Sequence, residues 1–462
     1  MSRRCPNALR AALCVLAALL CAACTTPTLR PVATDAKGIS PVITRAGVLS
    51  DINAEKLLQK RLDTHDDQHT LELIEAFRNQ AQTPLVAGNR VSLLIDGPQT
   101  LGAIRAAIEK AHRHVHIETY IFADDDVGRA FSDLLIARRK DGIEVRVLYD
   151  ALGSRSASTA FFDHLRENGV EVRVFRPLDP MRTPLPWKIN NRDHRKIVVV
   201  DGHIAFTGGI NISGAYASAS TTNPGPQAGR DEAWRDTHVQ IEGPVAAQFQ
   251  ALFLASWTRA GGTVDSHDPQ YFPAIPPSGS ELVAAVATDA DDKSETRIYA
   301  TYLTAIRHAT RRIWLTNAYF APNKPLRQAL TDAVKRGVDV RLIVPGFTDS
   351  GLILYASRST FDELLSGGVR IFEQPNALLH AKTAVIDGAL SMVGSANLDM
   401  RSFLHNNEVN AVVVGSDFAR RLEQIFERDL KSTREIDLRS WRKRPFMDKL
   451  KEFGSSLFSY WL

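Results

Sequence analysis

Four side chains able to act on a phosphate occur as two pairs, His194 with Lys196 and His380 with Lys382. Alternate residues of an extended strand share a face, so each imidazole would point the same way as its ammonium. One H-x-K occurs by accident in many chains, whereas a second copy in the same surroundings does not. From each histidine the chain runs through a lysine and an aliphatic stretch to Asp-Gly at offset 7, a glycine at offset 14 and an asparagine at offset 17. These are Asp201, Gly208 and Asn211 in the first copy, and Asp387, Gly394 and Asn397 in the second. Asp-Gly between two aliphatic runs reads as a hairpin turn whose returning strand brings the asparagine back beside its histidine.

Two groups that titrate near neutral pH, each beside a fixed cation, suit phosphodiester exchange without a metal. One imidazole, neutral, attacks phosphorus and holds the phosphoryl group. The other, protonated, gives its proton to the leaving alcohol and later takes one from the acceptor. Lys196, Lys382, Asn211 and Asn397 would bind the non-bridging oxygens and stabilise the transition state. No metal and no other cofactor is expected, since these groups already supply acid, base and charge. A histidine so used needs an acceptor on its other nitrogen, and Asp236 in WRDTHV and Glu408 in NNEVN are the candidates, each on a strand following its motif. His114, His116 and Glu118 alternate on a further predicted strand and raise a metal site as an alternative. The second copy has Arg312, Trp314 and Thr316 there, a poor ligand set. Glu118 then remains a candidate for the cleft wall.

The elements carrying these residues repeat as well. Strands are predicted over 90–95, 114–122, 145–149 and 170–175, with helices over 100–112, 127–140 and 161–168. The second series has helices over 298–309, 326–336 and 361–365, and strands over 312–320, 338–344 and 369–372. Alternation of this kind predicts layered α/β domains, and the self-similarity predicts a duplication. AHRHVHIETYIFA at 111–123 lies over ATRRIWLTNAYFA at 309–321. The expected division is a leader at 1–23, a tether with amphipathic helices at 24–85, and a first domain at 86–262. A linker at 263–292, a second domain at 293–435 and a basic aromatic tail at 436–462 follow. The segment 216–231 has no counterpart in the second copy and reads as a loop beside the site.

All four cysteines, Cys5, Cys14, Cys21 and Cys24, lie at the start, where Arg3, Arg4 and Arg10 precede a short apolar run. This resembles a lipoprotein signal with Cys24 acylated. Beyond Cys24 no thiol remains, which excludes a disulfide framework and a cysteine-based metal site there. The expected location is the cell envelope, lipid-anchored and facing the periplasm, at the outer rather than the inner membrane. The net charge of +4 falls to about +1 without the three leader arginines, too little for a nucleic-acid-binding surface. In the tail, Phe446, Leu450, Phe453, Leu457 and Trp461 share one helical face, among basic residues. That face either docks on the core or meets a membrane.

The duplicated H-x-K-x4-D, with G-G-x-N after the first copy and G-S-x-N-x-D-x-R-S after the second, resembles the phospholipase D superfamily and within it the bacterial cardiolipin synthases. The segments IETYIF and NAYFAPN add to the resemblance, which spans roughly residues 89 to 429. It implies two tandem α/β/α sandwich domains with mixed sheets, related by a pseudo-twofold, with the active site at their interface. It implies His194 as nucleophile and His380 as acid, and carries over Lys196, Asp201, Lys382 and Asp387 as catalytic residues and Asn211 and Asn397 as phosphate-binding ones. The expected activity joins two phosphatidylglycerols into cardiolipin through a phosphohistidine. Hydrolysis to phosphatidate, nucleic-acid phosphodiester cleavage and a non-catalytic lipid-binding scaffold are the alternatives. The expected partners are membrane phospholipids and the membrane surface, and the expected state is a monomer.

Overall fold

The computed structural model describes residues 39–62, 68–178, 190–218, 234–265, 268–291 and 296–461. The leader with Cys24 and most of the 216–231 loop lie outside them.

Seven strands of each repeat hydrogen-bond in the same order. In the first, this order is Glu171–Phe175, Glu144–Asp150, His114–Thr119, Ile197–Val200, Ile204–Gly208, Thr237–Glu242 and Leu85–Ile95. In the second it is Arg370–Gln374, Asp339–Pro345, Arg312–Asn317, Lys382–Ile386, Leu390–Gly394, Asn406–Val414 and Glu281–Thr288. The first three strands of each set run parallel and the rest antiparallel, so both sheets are mixed. Equivalent strands then join the two: Leu85–Ile95 pairs antiparallel with Glu281–Thr288, Asn89 opposite Glu281 and Val86 opposite Val283. An antiparallel joint between equivalent strands is what a twofold relation requires.

The parallel strands need crossovers, which Asp126–Lys140 and Lys324–Lys335 supply at equivalent places. Both helices start on a side-chain cap, Asp125 accepting from the Gly128 amide at 2.9 Å and Asn323 from the Leu326 amide at 3.2 Å. One apolar core lies under the first repeat's helices, including Ile104, Phe131 and Leu135. A second lies under those of the other repeat and takes in Leu73, Ile74 and Phe77 of the helix Gln68–Ala81. A third belongs to both repeats, with Val199, Val239 and Phe249 beside Val283, Val385 and Phe418.

Two stretches differ from expectation. The stretch 263–292 was expected as linker, yet its Glu281–Thr288 is the strand that joins the sheets, because LVAAVAT is buried on both faces. Within the stretch read as a tether, Val42–Thr44 and Gly47–Val48 form a hairpin, and Val42–Thr44 lies parallel to the start of Leu85–Ile95. Among the described residues no helix is long and apolar enough to cross a membrane.

Candidate active site

Each histidine enters the site beside a strand of the other repeat. Arg192–Asp193 runs parallel to Asn406–Asn407, and the His194 amide continues the ladder to the Asn407 carbonyl at 3.0 Å. Leu378–Leu379 likewise runs parallel to Trp234–Arg235, and the His380 amide bonds the Arg235 carbonyl at 2.8 Å. Carrying both registers forward one residue sets His194 against Glu408 and His380 against Asp236. His194 Nδ1 lies 3.0 and 3.1 Å from the two Glu408 oxygens, and His380 Nδ1 lies 2.8 Å from Asp236 Oδ2. The carboxylates are therefore exchanged between the repeats. Each Nδ1–H is committed to a carboxylate, which leaves each Nε2 free to accept or transfer a proton.

The carboxylates are themselves fixed. Glu408 accepts from Ser395 Oγ at 2.5 Å and from Asn406 Nδ2 at 3.1 Å, and Asp236 accepts from the Thr237 amide at 2.7 Å. The position matching Ser395 in the first copy is Gly209. A Cβ there would come within 2.2 Å of Asp236 Oδ1, so the shorter carboxylate packs directly on bare backbone. Arg195, the middle residue of the first H-x-K, points away from the histidine and donates to the Glu408 and Thr288 carbonyls at 3.2 and 2.9 Å.

The two lysines lie in the same field. Lys196 Nζ donates to the His194 carbonyl at 2.7 Å and Lys382 Nζ to the His380 carbonyl at 2.5 Å. Burial lowers Lys196 to about 7, with Glu408 opposing and Lys382 adding to the shift, and burial lowers Lys382 to about 8 against the pull of Asp236 and Glu408. Burial also lowers His194 to about 4, with Glu408 opposing and Lys196 adding to the shift. His380 is lowered by burial and Lys382, and Asp236 opposes. Burial pushes Glu408 and Asp236 upward, but the facing histidine and lysine outweigh it and both end below the usual range. The neutral site thus holds two ionised carboxylates, two neutral imidazoles and two weakly held ammonium protons, a set that can bind an anionic phosphodiester and exchange protons with it.

Asn211 faces the same region, its Nδ2 donating to Tyr216 Oη at 2.8 Å and its Oδ1 accepting from the Ile121 amide at 3.1 Å. Asn397 is buried, and its Oδ1 has no hydrogen-bond partner among the described residues. Four aromatic rings went unnoticed in the sequence. Tyr120 lies edge-on to His194 at 5.0 Å, and Tyr216, Trp234 and Tyr319 surround His380 at 5.8, 5.5 and 6.3 Å. Two were visible inside IETYIF and NAYFAPN, yet they fall one position apart when the repeats are aligned, so the duplication did not mark them.

Asp201 and Asp387 are not at the site. Each sits in its hairpin turn beyond the strand that follows the lysine, with positive φ (52° and 54°) and a glycine next. Asp201 accepts from the amides of His112, Arg113 and His114, and Asp387 from those of Thr310, Arg311 and Arg312. Their carboxylates tie the far end of the hairpin to the start of a neighbouring strand, which corrects the expectation of a catalytic role. Glu118 is not on a cleft wall either. It is fully buried 3.9 Å from Arg195, beside Asp193, and burial raises both carboxyls. His114 and His116 hydrogen-bond Gln250 at 3.2 and 2.9 Å, and His116 also bonds Glu144 at 3.0 Å.

The chain matches the family described as "Cardiolipin synthase, PLD-like domain" over residues 104–222 and 302–430. It is 37% identical over 399 residues to the cardiolipin synthase of Geobacillus kaustophilus, covering 85% of this chain and 76% of that one. It is 36% identical over 371 residues to the probable cardiolipin synthase YwiE of Bacillus subtilis, covering 80% and 72%. The phosphatidylserine synthase of Haemophilus influenzae superposes with a TM-score of 0.64 at 14% identity, over 85% of this chain and 100% of that one, a likeness of fold. These findings overturn the expected location. The relatives matched are cardiolipin synthases, and an outer-membrane lipoprotein facing the periplasm is not supported. With its duplicated mixed sheet and its matches across both halves, the chain belongs to the cardiolipin synthases of the phospholipase D superfamily and is a cardiolipin synthase-like phosphatidyltransferase.

Proposed function

We propose that the enzyme joins two phosphatidylglycerol molecules into cardiolipin and releases glycerol, with His194 as nucleophile. The observation that carries this reading is the exchanged pairing of His194 with Glu408 and of His380 with Asp236, which leaves both Nε2 atoms free. Once the anionic diester is bound, His380 takes a proton from solvent on Nε2; His194 Nε2 then attacks phosphorus, the bond from phosphorus to the glycerol oxygen breaks, and His380 Nε2–H protonates that oxygen. Glu408 balances the positive charge gained by His194. The hydroxyl of the second phosphatidylglycerol then gives its proton to His380 and attacks phosphorus, and the phosphorus–nitrogen bond breaks. Lys196 and Lys382, with Asn211 and Asn397, bind the non-bridging oxygens. An anionic diester would draw both lysines fully into the charged form. His194 suits the nucleophile because burial keeps it neutral down to about pH 4. Both motifs lie in one chain, and we infer that a monomer suffices.

Purified enzyme given pure phosphatidylglycerol should yield cardiolipin and glycerol in equal amounts. Phosphatidate as the main product would make water the acceptor and refute the transfer. Label from phosphorus-32 phosphatidylglycerol should be trapped on the wild-type protein by rapid denaturation and be absent from His194→Ala. Retention of label by that variant would refute the assigned nucleophile.

A further inference from the structure

The C-terminal helix Phe446–Ser456 has its two faces reversed relative to a helix packed on an apolar core. Toward the second repeat it turns Asp448, Glu452 and Ser455, the last two buried. Toward solvent it turns Phe446 (75% exposed), Leu450 and Phe453 (64% exposed), followed by Leu457 and Trp461. Leu352 of the neighbouring helix Gly351–Arg358 is exposed too. A surface helix normally hides such residues.

The arrangement is held by polar anchors. Arg444 bonds Glu452 at 2.8 Å and lies 4.2 Å over the Trp441 ring, which packs on Phe361 at 5.3 Å, and Lys451 bonds Tyr355 Oη at 3.2 Å. Other cations have no carboxylate partner: among the described residues the Lys443 ammonium has no hydrogen-bond or ion-pair partner, and Lys449 Nζ bonds only the Arg442 carbonyl. From 438 to 461 the chain carries six cations and two carboxylates. The apolar face also leads to the site. Trp461 stacks on His405 at 6.0 Å, and the His405 carbonyl accepts from the Arg192 amide at 2.8 Å, two residues before His194. The helix lies beyond residue 430, where the family match ends.

We propose that this face docks on an anionic phospholipid surface, with Phe446, Leu450 and Phe453 in the headgroup layer and Lys443 and Lys449 against lipid phosphate. Exposed aromatics beside unpaired cations are the composition that such an interface favours over a second protein surface. The docked helix would hold the cleft at the bilayer from which its substrate comes. The proposal rests on the phosphatidyltransferase reading only in taking a phospholipid bilayer as the occupant.

Full-length enzyme should bind vesicles of phosphatidylglycerol and phosphatidylcholine, and brominated phosphatidylglycerol should quench a fluorescence component that Trp461→Phe lacks. Phe446→Ser/Leu450→Ser should weaken vesicle partition by about tenfold or more, while turnover of detergent-dispersed phosphatidylglycerol stays within about twofold. Lys443→Glu/Lys449→Glu should weaken partition selectively on vesicles containing phosphatidylglycerol. His194→Ala should bind vesicles as the wild type does, so a failure of the chemistry leaves the binding result readable. Unchanged partition of the serine variant, or no quenching assigned to Trp461, would overturn the proposal. So would a dimer that the serine substitutions dissociate without loss of lipid binding, since the face would then belong to a second copy.

Discussion

At the residue scale the histidines depend on their carboxylates for tautomer and charge. Glu408→Gln keeps size but withdraws the charge that opposes burial of protonated His194, so kcat should fall about 10²- to 10⁴-fold. The same substitution bears on pH dependence. Lowering the His194 pKa to about 4 means its neutral form persists as pH falls below the ordinary histidine range, so the acid limb of kcat/KM should lie near pH 4. Glu408 raises that pKa, and its removal should move the limb lower still. An acid limb at 6.5 in wild type, measured with detergent-dispersed lipid, would show that His194 is not buried in this way. The turn aspartates should behave oppositely. Asp387→Asn faces three backbone amides with one acceptor oxygen instead of two, at a cost of about 1–3 kcal/mol of stability. Thermal melting should register that loss while kcat of the folded variant stays within a few-fold of wild type. The sequence showed all of these side chains, and both histidines, lysines and orienting acids fall where chemistry can use them. Asp201 and Asp387 read from the residues as turn positions and gained a catalytic role only through the family resemblance, whereas here their repetition reflects a repeated turn.

At the element scale the two hairpins are alike except beside the carboxylates, where Gly209 faces Asp236 and Ser395 faces Glu408. Gly209→Ala would place a methyl within 2.2 Å of Asp236 Oδ1 and push the carboxylate off His380. A displacement of that size should cost kcat about 10²-fold or more. Ser395→Ala removes the hydroxyl's bond to Glu408 and its acceptance of the Val409 amide but leaves Asn406 on Glu408, so its loss should be about tenfold or less. If Gly209→Ala retains full kcat, the packing of Asp236 does not position His380. Strand and helix placement was largely legible, since apolar alternation and Asp-Gly turns survive in both copies. The exchange of carboxylates was not, because it depends on two-residue bridges, Arg192–Asp193 with Asn406–Asn407 and Leu378–Leu379 with Trp234–Arg235, too short to leave a periodic signal. The strand Glu281–Thr288 is not legible, because the prolines and glycines before it read as linker.

At the scale of the whole molecule, a duplicated chain could be two bodies touching at a cleft or one body with two halves. Three features favour the second. The sheets are continuous through Leu85–Ile95 and Glu281–Thr288, the core around Phe249 and Phe418 is shared, and Arg195 reaches from one repeat to carbonyls at 288 and 408. Opening the cleft would therefore expose apolar core and break sheet hydrogen bonds, at a cost well beyond what a polar domain contact carries. Heat should unfold the two repeats in a single transition, with a calorimetric enthalpy close to the van't Hoff value, although chains of this length commonly show more than one. Val283→Ala, in the shared core, should lower that transition through a loss of about 1–3 kcal/mol without splitting it. Activity should disappear over the same temperature interval, because each histidine loses its carboxylate when the other repeat leaves. Two separate calorimetric transitions, or activity surviving the first of them, would show that the repeats stand independently and that the exchanged pairs do not hold the site together.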